Sequence, residues 1–222
     1  MTNEFPFIML ETRKTIIVSE GVMEDRTKIV ELTEDKFFRE GFYKTTMDEV
    51  ASELKMSKKT IYKFFPSKDD LVTAIARHFM EGLKSKIVPA LNSEKNAIEK
   101  LAELNHILAK VSTKISTKRM DEIKQHLPKL WDEIDAFRTK MMFLNITKVV
   151  DQGKAEGLFI DYPTPIIMNT LVSSVRAIVN PEFILNNNFS ISEAALNVFK
   201  VVIGGIVTDK GRKIFNKTIN KM

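Results

Sequence analysis

Between Leu54 and Ser67 the chain carries Lys55, Lys58, Lys59 and Lys63 and no acidic residue, and Lys68 follows at once. Set on a helix from Ser57 to Phe65, these residues separate by face. Ile61 and Phe65 are four apart and turn inward, whereas Lys58 with Tyr62, and Lys59 with Lys63, repeat the same spacing on the outer side. A helix about 10 Å wide with such a face fits a DNA major groove about 12 Å wide. Its ammonium groups could neutralise phosphates or approach guanine edges, with the preceding helix bracing it across the backbone. The competing reading of the same residues is a lysine face that only meets solvent.

Other chemistries find no converging set. His78, His106 and His126 are far apart in sequence and none belongs to a paired-histidine helix motif. Glu122 and His126 share a helix face, but two ligands do not complete a metal site, so an ordinary ion pair is the reading kept. No glycine-rich phosphate loop, nucleophile elbow or dinucleotide fingerprint occurs, and no enzyme, metal or cofactor is expected. The absence of cysteine removes disulfides, thiolate metal sites and cysteine nucleophiles, and suits a reducing cytoplasm. The net charge of +5 comes from 34 basic and 29 acidic residues, and the composition of 44% hydrophobic and 28% charged residues is that of a globular chain. The longest apolar runs, such as Phe5 to Leu10 and Val201 to Val207, fall far short of the roughly 20 residues a membrane helix needs. A cytoplasmic protein with no membrane partner is expected.

The outer lysines need elements to hold them. Residues 1–25 have no sustained helical period and are read as a flexible arm, or as sequence upstream of a true start at Met23. Ile29, Leu32, Thr33 and Phe37 then form one face of a helix that Gly41 ends. Thr46 to Glu49 is a capping box opening a second helix whose buried face is Val50, Ala51 and Leu54. Ser57 caps the third helix, and Ser67 caps a fourth expected to run to about Lys84. Longer amphipathic segments follow, over approximately Ser93–Thr113, Lys118–Leu127, Pro128–Gly153, Thr164–Val179 and Ser190–Gly204. Gly153 and Gly157 are read as helix stops, and Ser190 with Glu193 as another capping box.

The run "IVELTEDKFFREGFYKTTMDEVASELKMSKKTIYKFFPSKDDL", Ile29 to Leu71, resembles the TetR family of transcriptional regulators. The order of features is similar throughout: a phenylalanine-rich first helix, Gly41-Phe42, Thr45-Thr46, Val50-Ala51, Ser57-Lys58, Thr60-Ile61-Tyr62 and Phe65-Pro66-Ser67-Lys68. A second, weaker resemblance covers His126 to Asp161. The family resemblance implies an all-α chain: an N-terminal three-helix helix-turn-helix head over 26–72, followed by a helical-bundle ligand-binding and dimerisation domain over 73–222. It further implies that Lys58, Lys59 and Thr60 face base edges, that Tyr62 and Lys68 contact phosphate, and that Thr45 and Thr46 touch the DNA backbone. Lys63 joins this set through its place on the outer face. Two positions depart from the family pattern. Lys55 stands where glycine is usual in the turn, which requires a left-handed or adjusted backbone, and Lys59 stands where glycine is common in the recognition helix.

Double-stranded DNA and a second copy of the chain are therefore the expected partners, since helix-turn-helix proteins usually read two-fold related half-sites. Ile167, Leu171 and Val175 on one late helix, and Leu196, Phe199 and Ile203 on another, are read as the dimer interface, with the core of a monomer as the alternative. Met120, Trp131, Phe137, Met141 and Phe143, with His106 as a polar handle, are read as lining an effector pocket for an apolar or amphipathic small molecule, with plain core packing as the alternative. Asn105 and Asn145 are further polar candidates. The function implied is a ligand-responsive repressor at a palindromic operator. The rival is a structural or nucleoid-associated helix-turn-helix protein without an effector, which the basic tail of Lys210, Arg212, Lys213, Lys217 and Lys221 would support as an extra DNA contact.

Overall fold

The computed structural model describes residues 25–219, with side chains through residue 218, so the expectations for an N-terminal arm, a start at Met23 and a role for Lys221 lie outside the described residues. Apart from one isolated bridge, the described residues form helices and their connections, in two compact units that divide between His78 and Phe79.

The first unit contains α1 (25–40), α2 (Met47–Glu53), α3 (Lys58–Phe64) and the start of α4 (Lys68–Leu91). Its core is Ile29, Val30, Phe37, Phe42, Met47, Val50, Ala51, Ile61, Phe65, Leu71 and their neighbours on α4. The buried stripe of α1 runs through Ile29, Thr33 and Phe37 and widens toward Val30, which leaves Leu32 51% exposed and corrects the expectation that it faces inward. Thr33 stays satisfied inside by donating its hydroxyl to the Ile29 carbonyl at 2.6 Å. Buried Lys36 joins α1 to α2 by pairing with Glu40 and with Glu53, each at 3.0 Å. Gly41, at φ 94, ends α1 as its lack of a Cβ allows.

Helix α4 contributes its first half to one unit and its second half to the other. It continues past Lys84 because Ile87 and Leu91 extend its apolar stripe into the second core, and Pro89 is accommodated in its last turn.

The second unit is built around α5 (Ala97–Ser112), which packs on α8 (Thr147–Ala155), α11 (Ile191–Gly205) and α12 (Asp209–Ile219). Also present are α6 (Thr117–His126), α7 (Pro128–Met141), α9 (Thr164–Ile178) and α10 (Pro181–Asn187). The core includes Ile98, Leu101, Val149, Val150, Phe159, Met168, Phe199 and Ile203. The single helix expected over Pro128–Gly153 is instead α7 and α8 joined by a π-helical turn, Met142–Ile146, in which the Asn145 amide donates to the Met141 carbonyl at 2.9 Å. That turn rephases the helix so that Ile146, Val149 and Val150 all reach the core. Helix α10 was not expected. It is short, and asparagines close it at both ends, Asn180 as N-cap and Asn188 at φ 57.

Gly153 proves to lie inside α8, and the helix ends at Gly157, whose φ is 68. The reason for Gly153 is close approach: a Cβ built there would sit 2.1 Å from Phe159 Cδ2 and 3.0 Å from the Ala97 Cβ. Phe159 is buried and tied to the turn before α12, where the Ile160 amide donates to the Ile206 carbonyl at 2.8 Å and the Thr208 amide to the Leu158 carbonyl at 3.0 Å. With the ring unable to retreat freely, Gly153→Ala is expected to destabilise this unit by about 1–3 kcal/mol. Chemical denaturation of the variant beside the parent measures it.

Candidate functional site

Helices α2 and α3 pack together through a turn whose hydrogen bonds define its shape. The Lys55 amide donates to the Ser52 carbonyl at 3.1 Å and the Met56 amide to the Ala51 carbonyl at 2.9 Å, a Schellman closure with Lys55 as its left-handed residue at φ 53. The turn therefore keeps the geometry glycine would give, with a lysine bearing a conformational cost of about 1–2 kcal/mol.

At the start of α2 the capping box is complete. Thr46 Oγ1 accepts from the Glu49 amide at 3.2 Å, and the Glu49 carboxylate accepts from the Thr46 amide at 2.7 Å and from its hydroxyl at 3.0 Å. Those donors, the amide foremost, hold the Glu49 carboxyl below its ordinary value of 4.5. A carboxylate lowered on folding adds stability that is fully present above the unfolded pKa and is lost as pH falls through the folded one. The melting temperature of the head is thus expected to drop as pH is lowered below 4.5, and Glu49→Gln to flatten that drop. Thermal melts from pH 6 to pH 3, followed by circular dichroism, compare the two slopes. Lys36 behaves oppositely: hydrogen bonds to Glu40 and Glu53 raise its pKa, so its contribution persists below 10.5 and fades only at strongly alkaline pH.

On α3, Ser57 accepts from the Thr60 amide at 3.1 Å, and the two hydroxyls share a hydrogen bond of 2.8 Å. Ile61 and Phe65 are buried at 0% and 1% exposure, and the Arg26 guanidinium lies 5.1 Å from the centre of the Phe65 ring. That anchoring turns Lys58, Lys59, Tyr62 and Lys63 outward, with Tyr62 45% exposed. Lys58 reaches Asp48 of α2 at 2.5 Å, Lys63 sits 5.8 Å from the Phe64 ring centre, and Lys59 has no ion-pair partner among the described residues.

Two residues of the sequence-based set have partners within the head, and for Thr45 these remove its side chain from the outer face. Thr45 is 1% exposed and donates its hydroxyl to the Gly41 carbonyl at 3.0 Å, so its side chain shapes the α1–α2 connection and cannot reach a DNA backbone. Lys68, at the start of α4, holds its ammonium 4.8 Å from the Phe42 ring centre and 5.9 Å from that of Tyr43, and donates to the Tyr43 carbonyl at 3.3 Å. It is thereby fixed to the α1–α2 connection by cation–π and hydrogen-bond contacts.

In the second unit the expected dimer residues are mostly core. Ile167, Leu171, Phe199 and Ile203 are buried, and Val175 and Leu196 pack against them. The stripe is broad because α9 and α11 pack on each other and α11 also on α5. The faces left outside carry Ile166, 62% exposed, with Thr170, Ser173 and Ala177 on α9, and Val201, 74% exposed, with Asn197 and Gly205 on α11.

The expected pocket residues also divide. Met120, Trp131, Phe137 and Met141 are half-buried on α6 and α7, but His106 is exposed on α5 and Phe143 is 37% exposed in the π turn, so these two do not line an enclosed site. Asn105 and Asn145 direct their amides to carbonyls of their own helices, Leu101 and Met141. An open apolar groove of about 220 Å³ instead lies among α9, α10 and α11, lined by Ile178, Phe183, Phe189, Val198 and Val202 with Ser174 and Asn197. Sequence reasoning missed it because α10, which supplies Phe183, was not foreseen. Among the described residues no cluster of three or more His, Asp or Glu side chains is placed to hold a metal ion, and no helix is long and apolar enough to cross a membrane.

Residues 29–75 match the sequence signature of bacterial regulatory proteins, tetR family. The chain is 24% identical over 166 residues to the uncharacterized HTH-type transcriptional regulator YvaF of Bacillus subtilis, which takes in 74% of this chain and 87% of the relative. It is 25% identical over 92 residues to the HTH-type transcriptional regulator HbdR of Aromatoleum, covering 41% of this chain and 40% of that one. Among solved structures, a Saccharomonospora viridis protein crystallised with choline and described as a transcriptional regulator superposes with a TM-score of 0.65 at 20% identity, over 84% of this chain and 99% of that one. SmeT, the repressor of the Stenotrophomonas maltophilia multidrug efflux pump SmeDEF, does so with a TM-score of 0.60 at 14% identity, over 83% and 91%. These structural likenesses establish the fold.

Proposed function

Because the chain belongs, through residues 29–75, to the tetR family of bacterial regulatory proteins, we propose that this DNA-binding transcriptional regulator is a repressor that occupies a palindromic operator as a homodimer and leaves it when a small apolar or amphipathic molecule binds. The observation that carries the DNA-binding part is the division of α3: Ile61 and Phe65 locked in the core, Lys58, Lys59, Tyr62 and Lys63 outward, on a helix set by a regular α2–α3 turn. Thr46 and Lys68 flank this face, the first from the N-cap of α2 and the second beside Tyr43. A head of this size contacts too few base pairs for high specificity, which supports a two-fold dimer on two half-sites.

The exposed faces of α9 and α11, where Ile166 and Val201 stand among small residues with Arg176 and Lys200 beside them, support pairing with a second copy. For the effector, the half-buried side chains of α6 and α7 are the place of suitable chemistry, because the groove among α9, α10 and α11 is lined by Asn197 and Val201 and so opens on the face assigned to pairing. Ligand binding that favours one arrangement of the second unit would shift the population of DNA-competent dimers. The basic tail on which the structural DNA-binding alternative rests keeps Lys213 and Lys217 exposed, while Lys210 and Arg212 have backbone partners. Lys210 donates to the Glu156 carbonyl at 2.7 Å and Arg212 to the Gly204 carbonyl at 2.9 Å, so both are engaged in closing neighbouring helices.

Selection of bound duplexes from a random library, run at two salt concentrations, tests the proposal. Enrichment of a two-fold symmetric site supports a sequence-specific dimeric regulator. A pool that stays random with a steep salt dependence overturns it in favour of general phosphate binding. The selected site then permits a ligand screen in which Trp131, the only tryptophan of the chain, reports binding by its fluorescence while operator release is followed separately.

A further inference from the structure

The geometry points to Asp48 as a positioning residue for base recognition: from α2 it pairs with Lys58 on the outer face of α3, restricts that ammonium and weakens the face's attraction for phosphate. The inference rests on the DNA-binding reading above and concerns which residues set its selectivity.

Of the three outward lysines of α3, Lys58 alone is directed by a carboxylate. Its Nζ lies 2.5 Å from Asp48 Oδ2, with both side chains 59% exposed. Lys59 has no ion-pair partner among the described residues, and Lys63 lies beside the Phe64 ring. Asp48 is well placed to serve as an anchor, because it stands in the first turn of α2, next to Glu49 and the closed capping box. An exposed pair of this kind contributes little to folding; Asp48 supports the start of α2 from its first turn whether or not it meets Lys58, so the pairing itself is left to act on the outer face of α3.

Its effect on recognition is larger. A free lysine is a mobile point charge that any phosphate satisfies. With one N–H given to Asp48, the Lys58 ammonium keeps two donors in a restricted set of directions, suited to the O6 and N7 acceptors of guanine. The carboxylate also cancels the net charge of the pair and repels phosphate, which removes a share of the sequence-independent affinity. Base-edge hydrogen bonds are retained while general binding is reduced, and the ratio of the two rises.

Binding-site selection and salt titrations with the full-length protein test this, comparing the parent, Asp48→Asn, Asp48→Ser, Asp48→Glu and Lys58→Ala. Asp48→Asn and Asp48→Ser are expected to bind random duplex about 3–10-fold more tightly at 0.1 M salt, with a log K against log salt slope steeper by about 0.9. Both should lose preference at the same half-site position that Lys58→Ala loses, and Asp48→Glu should keep it. In a Lys58→Ala background, adding Asp48→Asn should leave the selected sequence as it was. If Asp48→Asn and Asp48→Ser select the parent's sequence with the parent's salt slope, the assignment of Asp48 is overturned and the regulatory reading stands. A parent protein that selects no sequence overturns both.

Discussion

With Lys59, Tyr62 and Lys63 all replaced by alanine, affinity for the selected operator is expected to fall by about 100-fold or more at 0.1 M salt, while the melting temperature holds. All three side chains face outward, and the anchors of α3, Ile61 and Phe65, are untouched at 0% and 1% exposure. Removing Lys63, where it neutralises a phosphate, should also flatten the log K against log salt slope by about 0.9, a signature distinct from simple weakening. Fluorescence anisotropy on labelled operator at several salt concentrations gives both quantities. A variant that melts normally and still binds like the parent would show that DNA meets another surface, and would remove α3 from the role assigned to it.

Val201→Glu is expected to convert the protein to a monomer and to lower operator affinity by about 10²–10⁴-fold, because two half-sites can then no longer be held through one linked pair of heads. Val201 is 74% exposed on α11, so the isolated chain should accommodate the carboxylate with little loss of stability. In a two-fold interface the same substitution would bring two uncompensated carboxylates into an apolar contact, which is strongly unfavourable. Analytical ultracentrifugation reads the assembly directly. Ile203→Glu is the informative contrast: that residue is 0% exposed, and the variant should fail to fold. A dimeric Val201→Glu protein would place the interface away from these faces.

The head was legible in considerable detail. Its helices are short, their ends are marked by Thr46 with Glu49, Ser57 and Ser67, and each cap is present in the structure. Such signals act over three or four residues, so the chain declares them wherever it occurs. The outward turn of Lys58, Lys59, Tyr62 and Lys63 follows from the inward turn of Ile61 and Phe65 for the same local reason. The demand on Lys55 came from the family resemblance, in which glycine is usual at that place in the turn, and Lys55 meets it with a φ of 53.

Local periodicity does not say what an apolar side chain meets. Ile167, Leu171, Phe199 and Ile203 have the spacing of an interface, and only the packing among α5, α9 and α11 assigns them to the core and leaves Ile166 and Val201 outside. Gly153 looked like a helix end because a glycine's need for space is not visible in its own segment; here the need is created by Phe159, brought back over α8 by the hydrogen bonds to Ile206 and Thr208. Thr45 looked available for DNA and is occupied by the Gly41 carbonyl, and Lys58 looked free and is held by Asp48. The order of the head's helices, their caps and the face of α3 were thus carried by short-range hydrogen bonding and by the 3.6-residue turn. Burial, close approach and the partners of individual side chains depend on segments distant in sequence, and these were decided only when the chain packed.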